Sequence, residues 1–483
     1  MTYKTEGKVS VSYGAHVKIE ELAPAKSHPI HISRTPRRLK PVSATDTASM
    51  PAVPASDHAH VLEAIPETLP EDSRPLPDLP AGAWWPVAAS IFAIAWGGNE
   101  FTPLLVMYRE VSHFSDLVVD GLLGAYVLGI VPALMIGGPL SDVYGRRPIL
   151  LPAAPLSLLG SLMLMLAPGS PLMIGIGRIL CGLALGLVMA IGTAWIKEIS
   201  DASGANPAAG ARRASLALTT GFLAGALVAA ILAQWGPWPT RTSYALHILI
   251  TIVTGLWLFT APETRTPGHL PAENEPASGA ETLMSKLIVP KAAHKRFLRV
   301  VLPVAPWVFG ACGTAYAVLP ALLKDRAGDY PIAFAGIMTA VTLGFGVGIQ
   351  TVGKKIDTHR SARASVIAMA IVTTGAVFAA GAASTTSLTI GLIAAATLGC
   401  GYGLALVAGL SEVQRLAGPD DLAGLTAVFY SIAYLGFFVP MLLAALSTIF
   451  SYTTMLIAGA VLAILTLVEV ALAWQAHLPG AHE

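Results

Sequence analysis

Glu100 is the residue whose position most needs a reason. It sits in "AWGGNEFTPLLVMYR" (95–109), inside an apolar run that begins at Trp84. A second charge, Arg178, lies in the equally apolar "LMIGIGRILCGLALG" (172–186). A charge at the centre of an apolar helix costs about 2.5–3.5 kcal/mol on insertion scales, so the two are expected to pair. An acid beside a guanidinium in such surroundings can take up and release a proton, because any movement that alters their separation alters the acid's proton affinity. A static ion pair and a direct contact between the acid and a bound molecule stay open as alternatives. Counting from Trp96, the residues Asn99, Glu100, Pro103 and Met107 follow helical spacing and share one face.

Other chemistry is poorly supplied. The apolar runs contain one histidine, His247, with no matching nucleophile or ligand, so no enzyme is expected. Cys181, Cys312 and Cys400 all fall inside apolar runs and read as small core residues, with neither a disulfide framework nor a metal spacing. No cofactor is implied. A net charge of +1, with no basic cluster interleaved with aromatics, gives no reason to expect nucleic acid.

The elements that must position these charges follow from composition. Of 483 residues, 54% are hydrophobic and only 12% charged, against roughly a quarter charged in a soluble domain. Repeated runs of about 20 apolar residues then indicate a polytopic all-α protein in a lipid bilayer. Residues 1–80 differ, with eleven prolines, nine Lys/Arg and ten Asp/Glu and no long apolar run. Such a segment cannot offset its ordering entropy, so 1–81 is predicted to be a disordered cytoplasmic tail, and it has no signal-peptide pattern.

Twelve spans are predicted, near 84–108, 118–139, 148–167, 171–196, 214–235 and 243–261, then 297–323, 331–353, 364–383, 387–410, 422–446 and 452–475. Only "APGSP" (167–171) divides the third from the fourth. The domains expected are six-helix bundles at 82–261 and 296–476, a cytoplasmic linker at 262–295 and a short tail at 477–483. Lys and Arg favour cytoplasmic loops. With the tail inside, sixteen fall in inner loops and four in outer loops, which places both termini in the cytoplasm. On that orientation Glu100 lies ~12 Å from the outer end of its helix and Arg178 ~9 Å from the outer start of the fourth, at 1.5 Å per residue.

The halves repeat. "NEFTPLLVMYR" (99–109) aligns with "YAVLPALLKDR" (316–326), pairing Pro103 with Pro320 and Arg109 with Arg326. "GPLSD" (138–142) pairs with "GKKID" (353–357), and "CG" at 181–182 with "CG" at 400–401. Three matches in order at nearly one offset argue for two parallel repeats, an architecture that builds a substrate site at the repeat interface. Tyr316 replaces Asn99 and Ala317 replaces Glu100, so the second half is uncharged there. It offers instead an aromatic wall of Tyr316, Tyr402, Tyr430 and Tyr434, facing Trp96 and Asn99 across a predicted substrate cavity. Two repeats in one chain suggest a functional monomer.

The loop "GPLSDVYGRRPIL" (138–150) resembles the signature loop of the major facilitator superfamily, Gly-x-Leu-Ala-Asp-Arg-x-Gly-Arg-Lys. Gly138, Leu140, Asp142, Gly145, Arg146 and Arg147 fit it, while Ser141 and Val143 depart. The resemblance implies secondary transport of a small molecule by alternating access. It also implies a conformational latch in which Asp142 and the arginine pair hold the halves together near the start of the eleventh helix, where Asp420 and Asp421 stand. "APETR" (261–265) resembles a common ending of the sixth helix and makes Glu263 a partner for cytoplasmic arginines, including Arg212 and Arg213. The fourth span resembles the Arg-x-x-Gln-Gly motif, with Cys181 in place of Gln. "GGNEFTP" resembles the acid-bearing first helix of proton-coupled multidrug antiporters of a bacterial inner membrane, which implies proton-driven efflux with Glu100 and Arg178 as the coupling pair. "GFLAGALVAA" (221–230) departs from the antiporter pattern at Ala226, where Pro is usual, so proton-coupled uptake stays open. "WIKEI" (195–199) resembles the ends of sugar porters, although the seventh helix lacks their glutamine pattern. A sensor on a transporter scaffold is the remote alternative.

Overall fold

The computed structural model describes residues 79–206, 208–265, 289–418 and 422–478. The predicted tail at 1–81, apart from its last residues, most of the linker, Asp420 and Asp421, and the end of the chain lie outside the described residues.

With the two pieces of the first taken together, the described residues form twelve principal helical segments in succession. The first, α1, runs Trp85–Asn99 and resumes as Phe101–Glu110. It is followed by α2 Asp116–Tyr144, α3 Arg146–Leu166, α4 Pro171–Ala202, α5 Ala209–Trp235 and the shorter α6 Thr242–Leu258. The second set is α7 Phe297–Arg326, α8 Pro331–Ile356, α9 Arg363–Thr385, α10 Leu388–Leu416, α11 Leu422–Leu446 and α12 Tyr452–Leu472. Ten of these are long and apolar enough to cross a membrane by length and composition. Two buried cores form. One is built almost wholly from α1–α6 and the other from α7–α12, so the fold is two six-helix bundles as the repeat predicts.

Local sequence sets the helix starts. Ser115, Ser170, Ser387 and Ser451 precede α2, α4, α10 and α12, and each hydroxyl oxygen accepts a backbone N–H of the first turn, satisfying a donor the helix leaves free. The first helix is interrupted at Glu100 because Pro103 has no N–H to give the carbonyl of Asn99. At the equivalent place in α7, before Pro320, the backbone widens into a π-helical turn over Thr314–Val318. The repeat thus extends to a pair of matched irregularities.

The bundles meet closely at the end where α1 finishes and α8 begins, here the far end. Gln234 of α5 donates to the carbonyl of Asp329 at 2.9 Å and accepts the backbone N–H of Ile332 and Ala333 at 3.1 and 3.0 Å. Trp235 packs on Tyr330, and Lys324 lies 3.9 Å from Glu110. At the opposite, near end the charged clusters close within each bundle, as described below.

Candidate functional site

Glu100 is almost fully buried, at 1% exposure, and its carboxylate points into the first bundle. Ser243 Oγ of α6 donates to Oε2 at 3.2 Å, and Ser161 Oγ of α3 approaches Oε1 at 3.4 Å. His247 Nδ1 stands 3.5 Å from Oε1 and 2.7 Å from Ser161 Oγ. The other ring nitrogen, Nε2, is 3.0 Å from the carbonyl of Ala93 and 3.0 Å from Thr251 Oγ1. A carbonyl only accepts, so Nε2 carries the hydrogen and Nδ1 of the neutral ring accepts from Ser161. Ser161 has one hydrogen to give and two candidate acceptors. The arrangement can therefore hold a proton at the Glu100 carboxyl or at His247 Nδ1, with Ser161 between them.

Arg178 is fully buried, yet the expected ion pair is not made. Among the described residues no contact within ion-pair distance joins Arg178 to Glu100. The guanidinium lies 4.5 Å from the ring centroid of Phe101 and 4.2 Å from that of Tyr126, and Nη1 donates to the carbonyl of Gly98 at 3.3 Å. Its Nε and Nη2 have no hydrogen-bond partner. The reason is rotational. Sequence spacing fixes the depth of a side chain, whereas its neighbours decide where it points, and the hydroxyls of α3 and α6 draw the carboxylate away.

Arg178 instead lines a cavity of about 40 Å³ between the bundles, together with Asn99, Tyr126, Tyr316, Tyr402 and Tyr434. Asn99 is held by donating to the carbonyl of Phe222 and accepting from Thr102 Oγ1. On the second bundle Phe309 stacks on Tyr434 at 4.3 Å and on Phe437 at 4.8 Å. Two expected wall residues are corrected. Trp96 packs on Phe92, and Tyr430 packs beside Phe429, so neither lines the cavity. Sequence reasoning missed Tyr126, Phe309 and Phe437 as wall residues.

At the near end, Gly138, Asp142, Gly145, Arg146, Arg147 and Glu263 come together in the first bundle. The Glu263 carboxylate accepts the backbone N–H of Arg146 at 3.0 Å and of Arg147 at 2.8 Å, as a carboxylate at a helix N-terminus should. Gly145 is needed there. Its φ of 95° is left-handed, and a Cβ would come 3.0 Å from Glu263 Oε2. Arg146 grips Glu198, which the sequence reading overlooked, through Nη2 at 2.8 Å, and pairs with Asp142 at 2.9 Å. Arg265 lies 3.6 Å from Asp142. Two expectations are corrected. Arg213 donates to Ser200 and covers the Trp84 ring, and among the described residues no ion pair joins Arg212 or Arg213 to Glu263. The charges also close within one bundle and form no ion pair across to the other among the described residues.

The family model described as Major Facilitator Superfamily matches residues 87–440. Among curated proteins no sequence gives a significant match. Among solved structures, a peptide transporter POT in complex with sulfate is 14% identical with a TM-score of 0.64, the match covering 84% of this chain and 98% of that one. The xylose transporter XylE from E. coli, in a partially occluded inward open conformation, is 16% identical with a TM-score of 0.58, covering 80% and 97%. A variant of the nucleoside transporter NupG is 11% identical with a TM-score of 0.59, covering 81% and 99%. These likenesses are of fold.

Proposed function

Because the chain belongs to the major facilitator superfamily, a family of multi-pass membrane transporters, we propose that it is a proton-coupled secondary active transporter exporting a drug or metabolite by alternating access. The observation that carries the coupling is the carboxyl of Glu100, sealed from water and joined through Ser161 to His247 beside the cavity between the bundles. Movement of the bundles changes the surroundings of that carboxyl and so its hold on a proton. Arg178 supplies the fixed positive charge nearby, and Asn99, Tyr316, Tyr402 and Tyr434 receive the substrate. The near end faces the cytoplasm of a bacterial inner membrane, as the Lys/Arg distribution favours, and the Asp142–Arg146–Glu198 cluster with Glu263 and Arg147 steadies that end as the state changes. The unit is a monomer.

A second reading, proton-coupled uptake, draws on one observation. Glu100 stands behind the cavity wall rather than on it, so proton and substrate need not compete for the same atoms.

Liposomes holding purified protein and an internal pH dye test both, with organic cations, neutral compounds and carboxylates added in turn. Export by antiport drives protons opposite to the entering substrate, and uptake by symport drives them with it. Glu100→Gln keeps the size and hydrogen-bonding capacity of the side chain but cannot titrate, so proton movement should vanish while binding persists. Coupled flux at the wild-type level in Glu100→Gln would overturn the assignment.

A further inference from the structure

Among the described residues five arginines have buried side chains, and the exception among them is informative. A guanidinium offers a side-on edge, Nε–H with the neighbouring Nη2–H, that matches the two oxygens of a carboxylate. Arg146 places that edge on Glu198, with Nε 3.2 Å from both oxygens and Nη2 2.8 Å from Oε1. Arg296 places it on Glu412, at 2.8 and 2.7 Å. Arg109 divides it between Asp116 and Asp120, at 2.6 and 2.7 Å, and Arg415, though its Nε is unpartnered, holds Asp357 through Nη2 and Glu412 through Nη1. Arg178 is as deeply buried as any of them, and Nε and Nη2 are the two nitrogens it leaves without a partner.

A buried charged donor left unmatched is costly, and the burial here is constructed. The rings of Phe101 and Tyr126 both pack against the guanidinium, with centroids 4.5 and 4.2 Å from its carbon, and the carbonyl of Gly98 holds Nη1. Its plane and its third nitrogen are fixed while the carboxylate-matching edge is kept unused. The hydroxyl of Tyr126 is likewise buried without a partner, and Tyr126 lines the same cavity. Across that cavity the lining of the second bundle is aromatic and apolar, with Phe309, Tyr434 and Phe437 in one mutually stacked cluster and no acid or base.

We propose that the transported substrate is a monocarboxylate with an aromatic or apolar body, its carboxylate on the Nε/Nη2 edge of Arg178 and its body against Phe309, Tyr402 and Tyr434. This deepens the transporter reading and rests on it. The charge count supports it, since a carboxylate on Arg178 neutralises the cavity, whereas an organic cation would sit beside an unmatched guanidinium. At about 40 Å³ the cavity has room for water but not for such a molecule, so binding belongs to a state in which the walls have separated.

Equilibrium binding to purified full-length protein tests the proposal without protons entering the readout. The probes are benzoate and phenylacetate, with benzamide and benzylamine as the neutral and cationic counterparts. Wild-type protein should bind the two carboxylates saturably and the amide and amine not at all. Arg178→Lys should weaken carboxylate binding about tenfold or more, since an ammonium cannot present two parallel donors, and Arg178→Gln should abolish it. Tyr126→Phe, which keeps the ring on the guanidinium, should weaken it a few-fold. The proposal is overturned if the amine or amide binds as well as the carboxylates, if neither carboxylate binds, or if Arg178→Gln binds them normally. Should Arg178→Gln fail to fold, probe selectivity in the wild type and the Tyr126→Phe result still decide. Carboxylate binding retained in a Glu100→Gln protein that still moves protons would remove the coupling assignment and leave this one standing.

Discussion

Gly97 determines how closely the His247 ring can approach the first helix. A Cβ at Gly97 would lie 2.3 Å from Cε1 and 2.4 Å from Nε2 of that ring, whose position is fixed by Ala93, Thr251 and Ser161. Gly97→Ala should therefore destabilise the protein by about 1–3 kcal/mol, the usual cost of overpacking, seen as a lower melting temperature in detergent. In a His247→Ala background the same substitution should cost much less, because the clashing ring is gone and the two changes are coupled. An equal loss in both backgrounds would place the strain elsewhere. At this scale Glu100 and Arg178 were legible, since a charge in an apolar run announces itself. Their orientation was not. The relay could have been found, for Ser243, His247 and Thr251 recur every four residues along α6, and Ser157 and Ser161 are four apart on α3, so each set lies on one face. An isolated histidine in a sequence looks partnerless until the stripe around it is read.

Helices α1 to α12 were legible from the length of their apolar runs, and even the thin "APGSP" boundary holds, with α3 ending at Leu166 and α4 starting at Pro171. The π-helical turns at Val188–Gly192 and Thr314–Val318 were not, because such widening is settled by packing rather than by local residue preference. Of the acids that tie helix ends together, Asp142 and Glu263 were legible from their motifs, whereas Glu198 and Glu412 were not. Glu198 and Asp142 hold Arg146 in the first bundle, while in the second Glu412 takes the bidentate edge of Arg296 and also receives Arg415 at 2.7 Å. Arg296 and Glu412 are 116 positions apart, so nothing local in the sequence marks them as partners. Glu412→Gln would strip Arg296 of its acid partner in a buried site and leave Arg415 with Asp357 alone. Removing one partner of such a pair costs about 3–5 kcal/mol, so the melting temperature should fall steeply and the yield of inserted protein with it. Lys197→Ala is the control. Its pair with Asp201 is exposed and 3.9 Å long, and losing it should cost no more than about 1 kcal/mol. Similar losses for the two variants would mean that the buried cluster does not hold the end of the bundle.

The two bundles and their pairing follow from the repeat, but which end is closed could not be read from the sequence, since one sequence serves every state of a transporter and those states differ by only a few kcal/mol. Gln234 bears on that balance. α8 has no side-chain cap of its own, unlike the four helices begun by serines, and its first free N–H groups are satisfied instead by Gln234 from the other bundle. The contact exists only while the far end is shut. Gln234→Ala would remove three hydrogen bonds across the bundles, each worth about 0.5–1.5 kcal/mol net when well formed and less where water competes. A total of even about 1 kcal/mol would raise the ratio of far-end-open to far-end-closed molecules roughly fivefold. Spin labels at the exposed positions Val111 and Asp325 would report the far end by pulsed distance measurement, and labels at Tyr144 and Lys354 the near end. In Gln234→Ala the far-end distances should shift toward longer values while the near-end distances shift toward shorter ones, because bundles that rock as units must close at one end as they open at the other. Local fraying of α8 predicts a different outcome, with broader far-end distances and an unchanged near end. A far-end distribution identical to wild type would show that Gln234 caps a helix without holding the two bundles together.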